Sequence, residues 1–118
     1  MSRKKALKIA RDIIKNKEDI NKRLDEYQNT PLMVAIGANS KKAVKLLIKH
    51  GADINLKNIN RHSALTIAVI DNNLEIVKLL LENGADTNII LDGNITLIDF
   101  AKLNRNEEMI KLIKKYTN

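Results

Sequence analysis

The chain has 118 residues, enough for one domain with a modest core. It contains one Phe, two Tyr and no Trp, so that core has to be aliphatic. The absence of Cys excludes disulfide frameworks and thiolate metal sites, and no apolar run approaches the roughly 20 residues of a membrane span. We therefore expect a cytoplasmic protein, or one delivered into a host cell, with no cofactor and no membrane association.

The net charge of +7 is concentrated at one end of the chain. Residues 1–23 hold nine Lys and Arg against three Asp and Glu, a net +6, whereas the remaining residues hold 12 against 11. Such a cluster is the solvated face of a capping helix, a docking site for an acidic protein, or a nucleic-acid site. Base stacking needs interleaved aromatic residues, and Tyr27 stands alone. Nucleic acid is therefore the weakest of these three interpretations.

The predicted elements begin with a polar tail at residues 1–5. Apolar residues from Ala6 to Ile14 then follow helical spacing, which predicts a helix to about Asn16 and a loop up to Asn29. The residues on its outer face are rich in Lys and Arg, as a terminal unit in contact with water requires. Residues 6–29 are thus predicted to form an N-terminal cap helix and loop.

The rest of the chain repeats with one fixed period, the spacing from Thr30 to Ser63 and again from Ser63 to Thr96. These three residues each precede a short helical pattern as N-caps, with Pro31 at the first helical position. Each pattern is followed by a second apolar stripe, and Gly51 and Gly84 end two of these stripes where a left-handed conformation is required. The predicted units are residues 30–62, 63–95 and 96–118, the last also serving as the C-terminal cap.

These motifs resemble those of ankyrin repeat proteins. Thr30–Ala35 is similar to the family's T-P-L-H-x-A, Leu74–Leu81 to its second helix, and Gly51–Asn55 and Gly84–Asn88 to its G-A-D-x-N loop. The resemblance implies an all-α solenoid of stacked helix–turn–helix units with projecting hairpin-like loops, here a half cap and three repeats. It also implies a non-catalytic interaction module.

The chain departs from the family pattern where glycine is usual. Seven residues that are not glycine are expected at positive φ, and these are Lys17, Gln28, Asn39, Arg61, Asn72, Asn94 and Arg105. The histidine of T-P-L-H is replaced as well, by Met33, Thr66 and Asp99. Its usual hydrogen bonds must therefore be missing or made by other groups.

Few residues suggest chemistry. His50 and His62 belong to different predicted loops, with no Cys and no acidic cluster, so neither a metal site nor a catalytic centre is predicted. Asp53 and Asn55, and their equivalents Asp86 and Asn88 in the next unit, are expected to close loops through backbone hydrogen bonds. We expect no enzyme and no small-molecule substrate.

The resemblance implies a partner surface at the loop tips, the exposed side of the first helices and the ends of the second helices. The residues at these positions are Tyr27, Asn29, His50, Lys57, Ile59, Asn60, His62, Ile70, Asp71, Asn83, Ile90, Asp92, Gly93, Ile95, Lys102 and Leu103. Apolar members gathered on one face often mark an interface. The alternative is that some, Ile95 above all, tuck under the neighbouring loop.

The sequence therefore predicts a monomer that binds another protein through the loop tips and first-helix face. One alternative is a small bacterial or viral effector or inhibitor that blocks a target protein with the same surface. A basic protein associated with nucleic acid is the weaker alternative.

Overall fold

The computed structural model describes residues 1–117, folded into an elongated array of 40 × 25 × 24 Å. Its helices are α1 (Arg3–Lys15), α2 (Pro31–Gly37), α3 (Lys41–Lys49), α4 (Ala64–Ile70), α5 (Leu74–Glu82), α6 (Leu97–Leu103) and α7 (Glu107–Tyr116). Between α5 and α6, strand β1 (Ile90–Leu91) pairs antiparallel with β2 (Ile95–Thr96) around a 3-10 turn at Asp92–Asn94.

The helices stack as successive antiparallel pairs. Helices α2 and α3, α4 and α5, and α6 and α7 pack within pairs, while α2 packs on α4 and α4 on α6 between pairs. Helix α1 covers the free side of α2 and α3. The predicted all-α solenoid is confirmed.

The core is aliphatic and lies between the stacked units. Val44, Leu47, Val77 and Leu80 are fully buried, as the period predicts, and Ile113 repeats the pattern in α7. Each unit therefore shares its apolar face with a neighbour, which is how a repeat array gains stability.

The first helix of each repeat starts at the predicted N-cap. The side-chain oxygens of Thr30, Ser63 and Thr96 accept from backbone N–H groups three residues on, at 3.2–3.3 Å. Asp99 completes a capping box, because its carboxylate accepts from the N–H of Thr96 at 2.9 Å. This backbone hydrogen bond lowers the pKa of Asp99, the residue at the histidine position of T-P-L-H in the last repeat.

The N-terminus corrects one expectation. Helix α1 begins at Arg3, so residues 3–5 belong to the helix and not to a polar tail. The reason is local, since the Ser2 hydroxyl caps the first turn by accepting from the N–H of Lys5 at 3.1 Å. Lys and Arg are also good helix formers.

The left-handed positions lie where the sequence places them. Gly51 and Gly84 have φ near +90°, directly after the C-caps of α3 and α5. Seven other residues have φ between 52° and 63°, and these are Lys17, Gln28, Asn39, Arg61, Asn72, Asn94 and Arg105. Each costs on the order of 1 kcal/mol relative to an unstrained conformation.

Asparagine side chains tie successive units together. Asn21 accepts from the N–H of Asp53 at 2.9 Å, and Asn55 accepts from the N–H of Asp86 at 2.8 Å. Asp53 also accepts from the N–H of Asn55 at 3.0 Å, and Asp86 from that of Asn88 at 2.9 Å, which confirms the loop closure predicted for these two carboxylates. The loops are therefore held both internally and against the next repeat.

Candidate functional site

The tips of two hairpins, residues 57–63 and 90–96, enclose a cleft of about 150 Å³. Its lining residues are Asn60, Arg61, His62, Leu91, Asp92, Ile95 and Phe100. Four of these, Asn60, His62, Asp92 and Ile95, belong to the surface predicted from the sequence. The cleft spans two repeats, so stacking of the units determines its shape.

Exposed apolar side chains lie on the same loops. Tyr27 is 52% exposed, Ile59 56% and Ile90 69%. Ile95 is 37% exposed, although its backbone pairs with that of Leu91 across the hairpin. Thus Ile95 is only partly covered, and three successive loops each present an apolar group to solvent.

The loop before α2 is closed by a carboxylate. Asp25 accepts from the N–H of Tyr27 at 3.0 Å, the N–H of Asn29 at 3.1 Å and the amide side chain of Asn29 at 3.0 Å. The hydrogen bonds from Asn29, backbone first and side chain second, lower the pKa of Asp25. This network fixes the backbone that presents the Tyr27 side chain.

The next hairpin uses the equivalent residue, one period further along the chain, in the same way. Asn58 accepts from the N–H groups of Asn60 and His62, both at 3.0 Å. Its amide nitrogen donates to the side chain of Asn29 at 3.0 Å. Asn29, predicted as a partner contact, is consequently half-buried in a contact between loops.

Further hydrogen bonds hold these two loops side by side. The N–H of Ile59 donates to the carbonyl of Tyr27 at 2.9 Å. The Arg23 guanidinium donates to the carbonyls of Gln28 and Lys57, each at 2.9 Å. The side chains of Tyr27 and Ile59 are therefore presented from one cross-linked backbone.

The last hairpin keeps the backbone pairing of the one before it but lacks the side-chain closure. Leu91 occupies the position of Asp25 and Asn58, and its backbone pairs with Ile95. Gly93, at φ 76°, allows the tip to turn. Because Leu91 cannot close the loop by hydrogen bonding, its side chain is available to line the cleft.

A polar bridge crosses the cleft between the two tips. The Arg61 guanidinium lies 3.8 Å from the Asp92 carboxylate, and both side chains are more than 80% exposed. An ion pair so exposed adds little stability. It instead supplies a charged rim that a bound partner can contact.

Other predicted residues lie away from this cleft. Ile70, Asp71, Lys102 and Leu103 are at or just beyond the C-terminal ends of α4 and α6. Each of these helices has seven residues, so its two ends are about 10 Å apart. Partial burial raises the pKa of the Asp71 carboxyl.

The ends of the second helices are separate as well. The His50 imidazole Nδ1 is 2.9 Å from the carbonyl of Leu46, and the Asn83 amide donates to the carbonyl of Leu79 at 2.8 Å. Both side chains thus fold back on their own helices. His50 also faces a depression beside α1, lined in part by Ile13.

Sequence reasoning missed three residues of the cleft, Arg61, Leu91 and Phe100. In the sequence, Arg61 stands out only as a non-glycine residue expected at positive φ. Leu91 carries a usable signal, since alignment of the repeats shows an apolar residue where Asp25 and Asn58 close earlier loops. For Phe100 the sequence offers no comparable signal.

The cleft offers apolar contact, amide and imidazole hydrogen-bonding groups, one cation and one anion. Among residues 1–117, no cluster of three His, Cys, Asp or Glu side chains is arranged to hold a metal ion. Nor does any helix within this range have the length and apolar character needed to cross a bilayer. The apolar, hydrogen-bonding and charged groups of the cleft are of the kinds that can contact a protein surface.

Comparison with known proteins identifies the fold family. The family model for ankyrin repeats, in 3 copies, matches residues 1–91, which is more than half of the chain. A search of curated proteins gives no match. The matched region contains α1 to α5, and α6 and α7 continue the same helix pairing beyond it. Ankyrin repeats are generally modules for interaction between proteins. The chain belongs to the ankyrin-repeat family.

Proposed function

We propose that this protein is a non-catalytic binding module that holds one partner protein against its hairpin tips. The observation that carries the proposal is the row of exposed apolar side chains on three successive loops, Tyr27, Ile59 and Ile90. A lone exposed apolar residue needs no explanation, but apolar residues gathered along one edge often mark an interface.

The arrangement around the cleft supports the same function. Ile95 and Leu91 form an apolar centre, and Asn60, His62 and the Arg61–Asp92 pair surround it. Binding energy at protein interfaces is usually concentrated in apolar or aromatic anchors enclosed by a polar rim. The hydrogen bonds that fix the loops reduce the ordering entropy that binding would otherwise cost.

The first experiment changes the apolar tips and leaves the scaffold intact. Ile59→Ser, Ile90→Ser and Ile95→Ser combined should weaken affinity for the physiological partner by about 30-fold or more, because at least one hot spot is lost. The partner is first identified by cross-linking in cells, and affinity is then measured with both purified proteins. Stability should change by no more than about 1 kcal/mol.

A matched control separates the tips from the rest of the predicted surface. Ile70→Ser combined with Leu103→Ser also removes exposed apolar groups, but from the far ends of α4 and α6. This variant should keep near-parent affinity. If the control loses the partner and the tip variant retains it, the contact surface is the helix ends. If the tip variant unfolds, its isoleucines are part of the core.

A further inference from the structure

A second surface lies at the edge opposite the hairpins. The N-terminus of α1 and the turn that joins α2 to α3 both lie at this edge. Two depressions of about 680 and 550 Å³ flank the first turns of α1. Lys4 and Leu7 line both, so the two depressions form one continuous surface, which we call the basic groove.

The lining of the basic groove is strongly cationic. The Lys and Arg residues that line it are Arg3, Lys4, Lys5, Lys8, Arg11, Lys41 and Lys42. Its two carboxylates are each paired with a lysine, Asp12 with Lys8 at 2.7 Å and Glu75 with Lys41. The hydrogen bond from Lys41 accordingly lowers the pKa of Glu75.

Five cations are left without such compensation. Within residues 1–117, no carboxylate lies within 4 Å of the charged groups of Arg3, Lys4, Lys5, Arg11 and Lys42. All five residues are exposed. Like charges held together on a fixed scaffold repel each other, and an anionic ligand would relieve that repulsion.

The position of these charges is also unfavourable for the helices that carry them. The first turns of α1 and α3 contain Lys and Arg but no acid. A helix N-terminus favours anions, because its free N–H groups carry partial positive charge. Helices α5 and α7 follow that preference, with Glu75 in one and Glu107 and Glu108 in the other. Helix capping therefore does not account for the charges in the basic groove.

We propose that the basic groove binds an acidic peptide segment of a partner protein, one that carries apolar side chains between its carboxylates. The uncompensated cations recognise the carboxylates, and the half-buried Leu7, common to both depressions, offers apolar contact. This surface goes beyond the proposed function, because none of its residues belongs to the hairpin tips.

A peptide fits this groove better than a nucleic acid does. Within residues 1–117, no aromatic side chain lines either depression, so bases have no stacking partner there. A duplex backbone would also gain nothing from Leu7.

The test uses the full chain and a labelled peptide of alternating glutamate and leucine, with fluorescence anisotropy as the readout. Arg3→Glu, Lys4→Glu and Lys42→Glu combined should weaken binding by about tenfold or more. The unfolding midpoint should stay or rise, because the new acids lie at helix N-termini. If these three cations served only to cap the array, the variant would not lose peptide binding while keeping or gaining stability.

A control of equal charge change distinguishes the groove from general attraction. Lys49→Glu, Lys78→Glu and Lys111→Glu alter exposed residues outside both depressions, and this variant should retain most of the affinity. Parent binding should fall as salt rises from about 0.1 M to about 1 M, where the screening length shrinks from about 10 Å to about 3 Å. A glutamine–leucine peptide should not bind.

Three results would overturn the proposal. They are equal losses in the two charge-reversal variants, no binding of the glutamate peptide by the parent, and tighter binding of duplex DNA than of that peptide. The serine variant at Ile59, Ile90 and Ile95 should bind the glutamate peptide as the parent does. Failure of the basic groove and failure of the hairpin surface are therefore distinguishable.

Discussion

The two hairpins beside the cleft share one backbone pairing, Lys57 with Ser63 and Ile90 with Thr96, but they differ in side-chain closure. In residues 57–63, the Asn58 side chain accepts from two N–H groups of its own loop and donates to Asn29 of the loop before. In residues 90–96, Leu91 takes that position and has no side-chain acceptor, while its backbone pairs with Ile95 as that of Asn58 does with His62. One side chain per unit thus decides whether the loop gains polar side-chain closure or an additional apolar group that lines the cleft.

The loop before α2 shows that polar closure is the commoner arrangement here. Asp25, Asn58 and Leu91 occupy the same position in three successive repeats, and only Leu91 lacks a side-chain acceptor. The unit with Leu91 also has the most exposed isoleucine, Ile90 at 69%. The last hairpin therefore lacks one stabilising side-chain closure and exposes more apolar surface.

The largest effect is expected from breaking the scaffold that both hairpins share. Leu80 is fully buried in α5, the helix between them in the chain. Leu80→Ala should cost about 2–5 kcal/mol, because it removes apolar contacts and leaves a cavity. Urea unfolding should show a large midpoint shift, while Leu103→Ala, at a residue 75% exposed, should shift it little. Similar midpoints for the two variants would contradict the assigned stacking of the repeats.

A smaller effect is expected from the closing residues themselves. Asn58→Ala removes three hydrogen bonds and should cost about 1–2 kcal/mol. Leu91→Ala removes partly buried apolar surface and should cost about 1 kcal/mol or less. Denaturant titration measures both changes in the free energy of unfolding.

For partner binding, the order of the two effects should be reversed: the variant with the smaller loss of stability should have the larger loss of affinity. Hydrogen exchange at the amides of Asn60 and His62 should accelerate in Asn58→Ala, while partner affinity should fall more in Leu91→Ala. Leu91→Asn is a third variant, which introduces a possible closing acceptor and removes the apolar lining. If Leu91→Ala binds the partner as the parent does, the last hairpin is not the contact surface.

Much of the scaffold could be predicted because the repeat period constrains it. The constant spacing identified Leu47 and Leu80 as core and Thr30, Ser63 and Thr96 as N-caps, and the structure confirms both. These positions depend on local capping and on stacking that is the same in each unit. One sequence pattern therefore predicts all copies.

The candidate site could be predicted only in part, because it depends on where the units differ. Asn29 is tied into the contact with Asn58, a pairing that the sequence pattern alone did not indicate. Phe100 reaches the cleft only because α6 stacks beside the hairpins. Leu91 differs from Asp25 and Asn58 at the same repeat position, so the period alone does not show where its side chain lies. The orientation of such side chains depends on packing between repeats, which a period does not specify.

The smallest expected effect is a pH dependence of stability that distinguishes closure by the Asp25 carboxylate from closure by the Asn58 amide. Hydrogen bonds from Asn29 hold the pKa of Asp25 below its ordinary value of 3.8, so folding favours the charged carboxylate. The stability from this group is therefore present above that value, and it is lost as pH falls through the lower pKa of the folded state. Asn58 shows that a neutral amide can accept equivalent backbone hydrogen bonds. Asp25→Asn should thus be no more stable than the parent near neutral pH but should lose less stability below about pH 4.

Asp25→Ala serves as the control for this comparison, because its side chain has no acceptor. It should be less stable than Asp25→Asn at neutral pH, and urea midpoints of all three proteins at neutral and at acid pH measure both differences. Glu75 and Asp99 also have lowered pKa values and remain in every variant, so each protein will still be sensitive to acid. Only the difference in urea midpoint between the parent and Asp25→Asn therefore reports on Asp25. A gap that does not change with pH would show that the carboxylate charge plays no part in closing the loop.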